Sequence, residues 1–468
     1  MKKLLFTLLA FYGFATSSFG QTLLASQPLE LKKTASSHQI LNAVNNQNQV
    51  FAFAADKESL RALKYNNALF FKDSISAARP DKSYEFMAGF SFEDNGNPYL
   101  YWASGDYFKI QSIYFDFENK TATTTEFRIP YKDEAIISVF SENNSFYILT
   151  QFKKEDKLKF YCFNKGKLEE KIIDFSSYKF IDENGKSSTF NKLMAENSIE
   201  KIDTRSLNPL FQSISKVKFY ILKNRMILTF DSLSRTQLFD IDLNTFSITE
   251  KTIPSLTLAT SIGKSNSYFH QDKLYQIKAN DEELMIAAVD IASGETLKSY
   301  AVGQKDTISF KNSPLYSQTG NERGQELKNT KKFIQKLRNC EVGISVYKTP
   351  NAIMVTAGGI RDVSSTGGLL LGISASFAMI TAGSYYPIDG LLDTQNLQSI
   401  YFEGLFDEKF QHKNIQQQGL AVDYISQFQH ENNVSLVSVF PYHDYFIMGY
   451  YDSKKKEYAL RKFEDSND

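Results

Sequence analysis

Strand-forming runs recur along this chain at a nearly constant spacing, and that recurrence limits the folds open to it. Runs rich in Phe, Tyr, Ile, Val and Thr each end in Asn, Asp, Gly or Ser, the pattern of short strands joined by tight turns. The clearest unit spans 146–152, 158–163 and 168–175, with a turn at Asn164-Lys165-Gly166. It returns as 226–230, 237–242 and 246–253 around Leu243-Asn244, and both units contain Ile-Leu-Thr, at 148–150 and 227–229. A third copy runs 273–278, 284–290 and 296–302 around Ser293-Gly294. Matching turns occur earlier at Asn66-Asn67 and Glu118-Asn119, and later near Asp407-Glu408.

Taken at 66, 119, 164, 244, 293 and 407, these turns lie 53, 45, 80, 49 and 114 residues apart. Three intervals fit the roughly 40–50 residues of a four-stranded propeller blade. The two long ones fit a blade plus an insertion, at about 176–216 and 303–390. The spacing therefore predicts an all-β fold, a β-propeller of about seven blades (one fewer or one more also fits) in one domain over 21–468. The last unit, 436–440, 445–451 and 457–463, lacks a fourth strand, and Pro28–Lys32 is expected to supply it. Such closure leaves only short, protected edges. Two separate β-domains are the structural alternative.

Composition narrows the function classes. Among 468 residues, 53 Lys+Arg balance 53 Asp+Glu, whereas a polyanion binder needs a cationic surplus; no nucleic-acid partner is expected. The 39 Phe and 26 Tyr make the chain too apolar to be disordered, and 2 Cys are too few for a disulfide scaffold. Cys162 and Cys340 are 178 positions apart, a spacing that cannot establish pairing.

The first twenty residues read as an address. Met1-Lys2-Lys3 precedes an apolar stretch from Leu4 to Ala15, and Ser18 and Gly20 form a small-x-small site before Gln21. That order predicts a secretory signal peptide, 1–20, cleaved after Gly20; the apolar stretch is short for a membrane anchor. Cleavage would leave no transmembrane helix and a formal charge of −2.

The insertions carry the remaining signals. In the first, Asp182-Glu183-Asn184-Gly185 faintly resembles a calcium loop but lacks its ligand spacing, so a tight turn is expected, with a short helix at 191–196. In the second, 322–339 reads as a surface helix with Leu327, Phe333, Ile334 and Leu337 on one side. From Val363 to Ile388, 26 positions hold no charge, in a chain that is 23% charged. Within it Leu369, Leu371, Ile373, Phe377 and Met379 share one parity and Gly372, Ser374, Ser376 and Ala378 the other, a strand period. Two outcomes compete: a covered strand of a blade, or an apolar projection whose large residues contact a partner.

Catalytic constellations are missing. His38, His270, His412, His430 and His443 show no ligand spacing, and no Cys-x-x-Cys occurs, so no metal is expected. There is no phosphate-binding glycine loop, and Gly372-Ile-Ser-Ala-Ser lacks the last glycine of a nucleophile elbow. His443-Asp444 are neighbours that point to opposite faces of a strand. The one Trp, Trp102, lies in a strand among tyrosines, where core packing is the ordinary role. No catalytic residue and no cofactor is assigned.

With its leader ending before Gln21-Thr22, its Asn/Lys/Phe/Tyr-rich strands and its blade-length repeat, the chain resembles exported β-propeller proteins of Bacteroidota. The resemblance implies a fold and a compartment. Such proteins exported by the type IX pathway usually end in a sorting domain, whereas Tyr458 to Asp468 looks like a last strand and tail, and no cysteine stands at the cleavage site. The expectation is a periplasmic, non-catalytic protein-interaction module docked to an outer-membrane protein complex through 363–388, plug-like in a secretion translocon. The rival is a carbohydrate-binding or hydrolytic propeller using its central channel.

Overall fold

The computed structural model describes residues 20–32, 37–197, 199–259, 262–320, 322–363, 396–432 and 434–466. Among them are seven antiparallel-dominated sheets of four or five strands and one two-stranded ribbon. Four are simple meanders: β2–β5 (39–78), β6–β9 (86–128), β10–β13 (134–174) and β21–β24 (264–303). Burial falls from their inner strands to the outermost one, which faces solvent. β9 (Thr121–Arg128), for instance, is nearly all solvent-exposed, while β7 (Pro98–Ala103) is nearly all buried.

The first strand of each sheet faces a common axis, and neighbouring first strands are tied directly. Met87 N donates to Gln39 Oε1 at 2.9 Å, Phe90 N to Ser141 Oγ at 2.7 Å, and Phe269 N to Tyr220 OH at 3.1 Å. Lys264 meets Glu341 at 2.8 Å, Asn42 Nδ2 donates to Ser438 O at 3.4 Å, and Phe140 stacks toward Phe219 at 6.2 Å. The sheets thus form a ring about one axis: a β-propeller. Between sheets lie the cores, such as Phe51, Phe53, Trp102 and Phe115, all fully buried.

The ring is closed by the chain's two ends. β1 (Gln21–Pro28) lies antiparallel on β32 (Glu457–Phe463), completing the sheet of β30 (Ser435–Tyr442) and β31 (Tyr445–Asp452). The closing strand is therefore Gln21–Pro28, one segment earlier than the 28–32 expected. Proline cannot donate to a ladder and ends the strand here, and Leu29 and Leu31 instead pack into the core against Val50, Ala52 and Ala54.

The second long interval has a different anatomy from an excursion. β25 (Tyr316–Thr319) and β26 (Gln325–Glu326) are outer strands of a sheet whose first, second and third strands are β27 (Glu341–Lys348), β28 (Ile353–Asp362) and β29 (Leu397–Phe406). Its fourth strand thus precedes its first in sequence. The turn near 407 accordingly leads away from the sheet, to the helix α4 (Ala421–Asn432), which lays Ala421, Ile425 and Phe428 on the closing sheet. The helix expected over 322–339 is confined to α3 (Thr330–Leu337), because the Asn329 side chain caps it at Lys332 N and 325–326 pair as strand instead. Phe333, Ile334 and Leu337 are buried as expected.

Gly358 on β28 sits where a Cβ would lie 2.0 Å from the Ile400 carbonyl oxygen of the neighbouring strand. Gly358→Ala must push two paired strands apart, so its denaturation midpoint should fall by an amount equivalent to about 2 kcal/mol or more. Equilibrium unfolding followed by circular dichroism measures this; an unchanged midpoint would contradict the close approach.

Candidate functional site

The first insertion fills the axis of the ring. Leaving β13 (Lys167–Asp174), the chain makes the ribbon β14–β15 (Phe180–Ile181 and Ser187–Ser188) and helix α1 (Phe190–Glu196), close to the 191–196 expected. At the ribbon's tip Asp182 Oδ1 accepts from Asn184 N and Lys186 N, with Gly185 at φ 83°, a tight Asx-type turn. β16 (Ile199–Ile202) then pairs in parallel with the axis-facing edge of β17 (Val217–Leu222), with Glu200 opposite Lys218. At the far end the chain turns and returns through the single-turn helix α2 (Leu210–Ser213).

This descending and ascending segment touches the innermost strands of four sheets. Lys201 Nζ lies 4.9 Å from the centre of the Phe140 ring, and Arg205 reaches Glu142 at 3.3 Å. Asn208 Nδ2 donates to Tyr268 OH at 2.9 Å, while Ser345 Oγ donates to Asn208 O at 2.6 Å. Gly343 on β27 leaves room for the α2 end, since a Cβ there would lie 2.8 Å from Ile214 Cγ2. Leu210, Ile360 and Leu397 form a small apolar core between α2 and the ends of β28 and β29. The central channel is thus occupied by the chain's own residues.

Beside it lies the most deeply buried ion pair among the described residues. Lys218 Nζ donates to Asp231 Oδ2 at 2.8 Å and to Asn266 Oδ1 at 2.8 Å, with both charged side chains at 2% exposure or less. Asp231 also accepts from Thr236 Oγ1 at 2.7 Å and Ser267 N at 3.1 Å. Burial works to raise the Asp231 pKa, but Lys218 and these donors outweigh it and hold the carboxyl below its ordinary range. Glu200, set across from Lys218, goes the other way: burial raises its carboxyl to about 8, opposed by Lys218, so it carries its proton at neutral pH.

The arrangement cross-links four sheets. At the far channel mouth Arg205 lies 3.3 Å from Glu142 and 3.7 Å from Asp203, so these two acids share one guanidinium. Among the described residues no three His, Cys, Asp or Glu side chains group closely enough to hold a metal ion. Trp102 is fully buried with Arg79 over its ring at 4.9 Å. Cys162 and Cys340 are both free thiols, the first on the strand Lys157–Asn164 and the second in the turn between α3 and β27. No described helix is long and apolar enough to cross a membrane.

The expected partner-contact residues Leu369, Leu371, Ile373, Phe377 and Met379 lie outside the described residues. The ends that lead to them are described: Asp362 pairs with Leu397, and Val363 N donates to Asn396 O at 2.8 Å. The residues that build the channel segment carried little signal in sequence; the one cue was Lys218 inside the apolar run Val217–Leu222.

No family model and no curated protein sequence matches the chain. Among solved structures it is similar to the Dos1 propeller, at 7% identity over 80% of this chain and 82% of that one, with TM-score 0.27. It is likewise similar to the dihydro-heme d1 dehydrogenase NirN in complex with DHE, at 9% identity over 96% and 79%, TM-score 0.29. The cobalt-substituted Synechocystis apocarotenoid oxygenase ACO matches at 7% identity over 57% and 61%, TM-score 0.27. Likeness at this level carries nothing about activity, and the sheet order itself carries the fold.

Removing one partner of the buried pair should be costly. Asp231→Asn or Lys218→Met is expected to destabilise by about 3–5 kcal/mol. The double variant Lys218→Met/Asp231→Asn should recover part of that loss, as read in a double-mutant cycle by denaturant unfolding. Equal losses in single and double variants would show that packing, not charge, is at stake.

His270 gives a pH prediction. At the end of β21 (Lys264–His270) its ring is 4% exposed with neither nitrogen hydrogen-bonded. Burial, aided by Lys273 and Lys348 and opposed by Glu408, lowers its pKa from 6.5 to about 4. The unfolded chain therefore takes up a proton below pH 6.5 that the folded chain refuses until about pH 4. Stability should drop by about 3 kcal/mol across that window. His270→Leu should lose correspondingly less between pH 7 and pH 4 in paired unfolding curves. The buried acids Glu403 and Asp465, whose pKa values are raised, are common to both proteins and cancel in the comparison.

Proposed function

We propose that the chain is an exported, non-catalytic β-propeller that binds a protein through its faces and loops. The observation that carries this is the filled channel: Ile199 to Ser215 occupies the axis where a rival carbohydrate-binding or hydrolytic propeller would hold its ligand. Contact surface then remains at the ends and rim of the ring. The leader pattern of residues 1–20 supports export, and the compartment we assign is the periplasm.

The finer assignment is docking to an outer-membrane protein complex through the charge-free segment 363–388, in a plug-like role within a secretion translocon. Two features support it. The segment is apolar with strand alternation, a composition that marks contact surfaces when it is exposed. Its two ends also leave the ring side by side from β28 and β29, at the end of the ring that carries the Leu210–Ile360–Leu397 cluster.

Deleting Gly367 to Gly383 should leave a folded protein that no longer retrieves its partner. Affinity purification from native membranes with mass spectrometry, on the full chain and the deletion in parallel, tests this. A deletion product that fails to fold, or one that retrieves the same partner, would overturn the assignment.

A further inference from the structure

Helix α3 carries a cationic stripe that no intramolecular interaction explains. Lys331, Lys332 and Lys336 lie on the helix away from the buried Phe333, Ile334 and Leu337, and Lys328 stands just before the Asn329 cap. Lys328, Lys331 and Lys332 are exposed and Lys336 is half-buried. Among the described residues none of the four ammonium groups has a carboxylate at ion-pair distance, although ion pairs are frequent elsewhere on this neutral chain. The helix itself, Thr330–Leu337, contains no acid.

The placement of two of them also works against the helix, whereas Lys336 stands in the last turn, where the dipole favours a cation. Lys331 and Lys332 stand in the first turn, where the positive end of the helix dipole disfavours cations, and no acidic residue offsets them there. Arg338, past the last turn, is a different case: it lines a polar groove of about 420 Å³ together with Asp281 and Glu282, so its charge has acids nearby. The four lysines project an unneutralised positive surface from a chain whose total charge is zero. Exposed aliphatic side chains lie nearby: Ile262, 80% exposed, precedes Lys264, whose Nζ donates to Cys340 O just beyond α3, and Val363, 40% exposed, follows the end of β28.

We propose that the α3 stripe docks on an anionic lipid bilayer surface, with the lysines on headgroup phosphates. Because the apolar face of α3 is buried in the protein, the attraction is electrostatic, from clustered lysines to anionic headgroups. Its reach is short, because the attraction decays within a Debye length. The inference uses α3 alone and stands whether or not residues 363–388 contact a protein.

The test is co-sedimentation of the full chain with phosphatidylcholine vesicles, with and without phosphatidylglycerol. Binding should require the anionic lipid and weaken with added salt. Lys328→Gln/Lys331→Gln/Lys332→Gln should bind roughly a hundredfold more weakly, at about fivefold per lysine. Glutamine is a good helix former, so unfolding curves of the variant should match the parent. Equal binding to neutral vesicles, no binding to anionic vesicles at low salt, or undiminished binding by the folded variant would each overturn the proposal. Because the deletion of Gly367 to Gly383 leaves α3 intact, it should retain vesicle binding even if it loses its protein partner.

Discussion

Pairing between the first and last described strands is the contact on which the molecule depends. Each sheet hides its faces against two neighbours, so an open row of sheets would leave two large apolar faces and two unpaired edges in water. Seven ladder positions join Gln21–Pro28 to Glu457–Phe463. They complete a sheet that buries Tyr458, Leu460 and Ile447 against Val50 and Tyr65 of the next. Tyr458 OH reaches Asn42 across that junction, linking residues more than four hundred positions apart.

Closure creates an axis, and the chain fills it. The segment from Ile199 to Ser215 is held by parallel backbone pairing with Val217–Leu222, by Ser345 Oγ donating to the Asn208 carbonyl, and by the Asn208 side-chain amide donating to Tyr268 OH. Polar groups placed there must be answered locally, because water is largely excluded. Hence Lys218, Asp231 and Asn266 form a closed set, while Glu200, lacking such donors, stays protonated near neutrality. The segment thereby acts as a cross-brace between four sheets. What remains available to partners is the surface, and there the uncompensated lysines of α3 stand apart from the paired charges elsewhere.

Much of the fold was legible from local pattern. Turns at 66, 119, 164, 244 and 293 all join a third strand to a fourth, and at four of them an Asn or Asp side chain (Asn66, Asp116, Asp242 and Asp290) accepts from backbone N–H groups of the turn. Position 407 carried the same signature for another reason. Asp407 Oδ1 caps a turn to Gln411 after β29, but the strand it should have introduced had already been supplied by Tyr316–Thr319. Turn chemistry is local, whereas strand order is set by which edge is vacant when the sheet assembles. Helix α4 was legible in principle, since Ala421, Ile425 and Phe428 keep the i, i+4, i+7 spacing of an apolar helical stripe, a short signal overshadowed by the strand pattern around it.

By itself the sequence determined that the chain is built of short strands and tight turns repeating at blade length, and that its ends must meet. Both are consequences of side-chain period and turn geometry, which act over a few residues. Only the tertiary structure decided which strand closes the ring, that a fourth strand precedes its first, and that the axis is filled. Those outcomes depend on contacts between residues hundreds of positions apart, for which a single chain of letters carries no distance. The pairing of Glu200 with Lys218 and the uncompensated charge along α3 belong to the same class, since a charge is neutralised or free only relative to what the fold brings beside it.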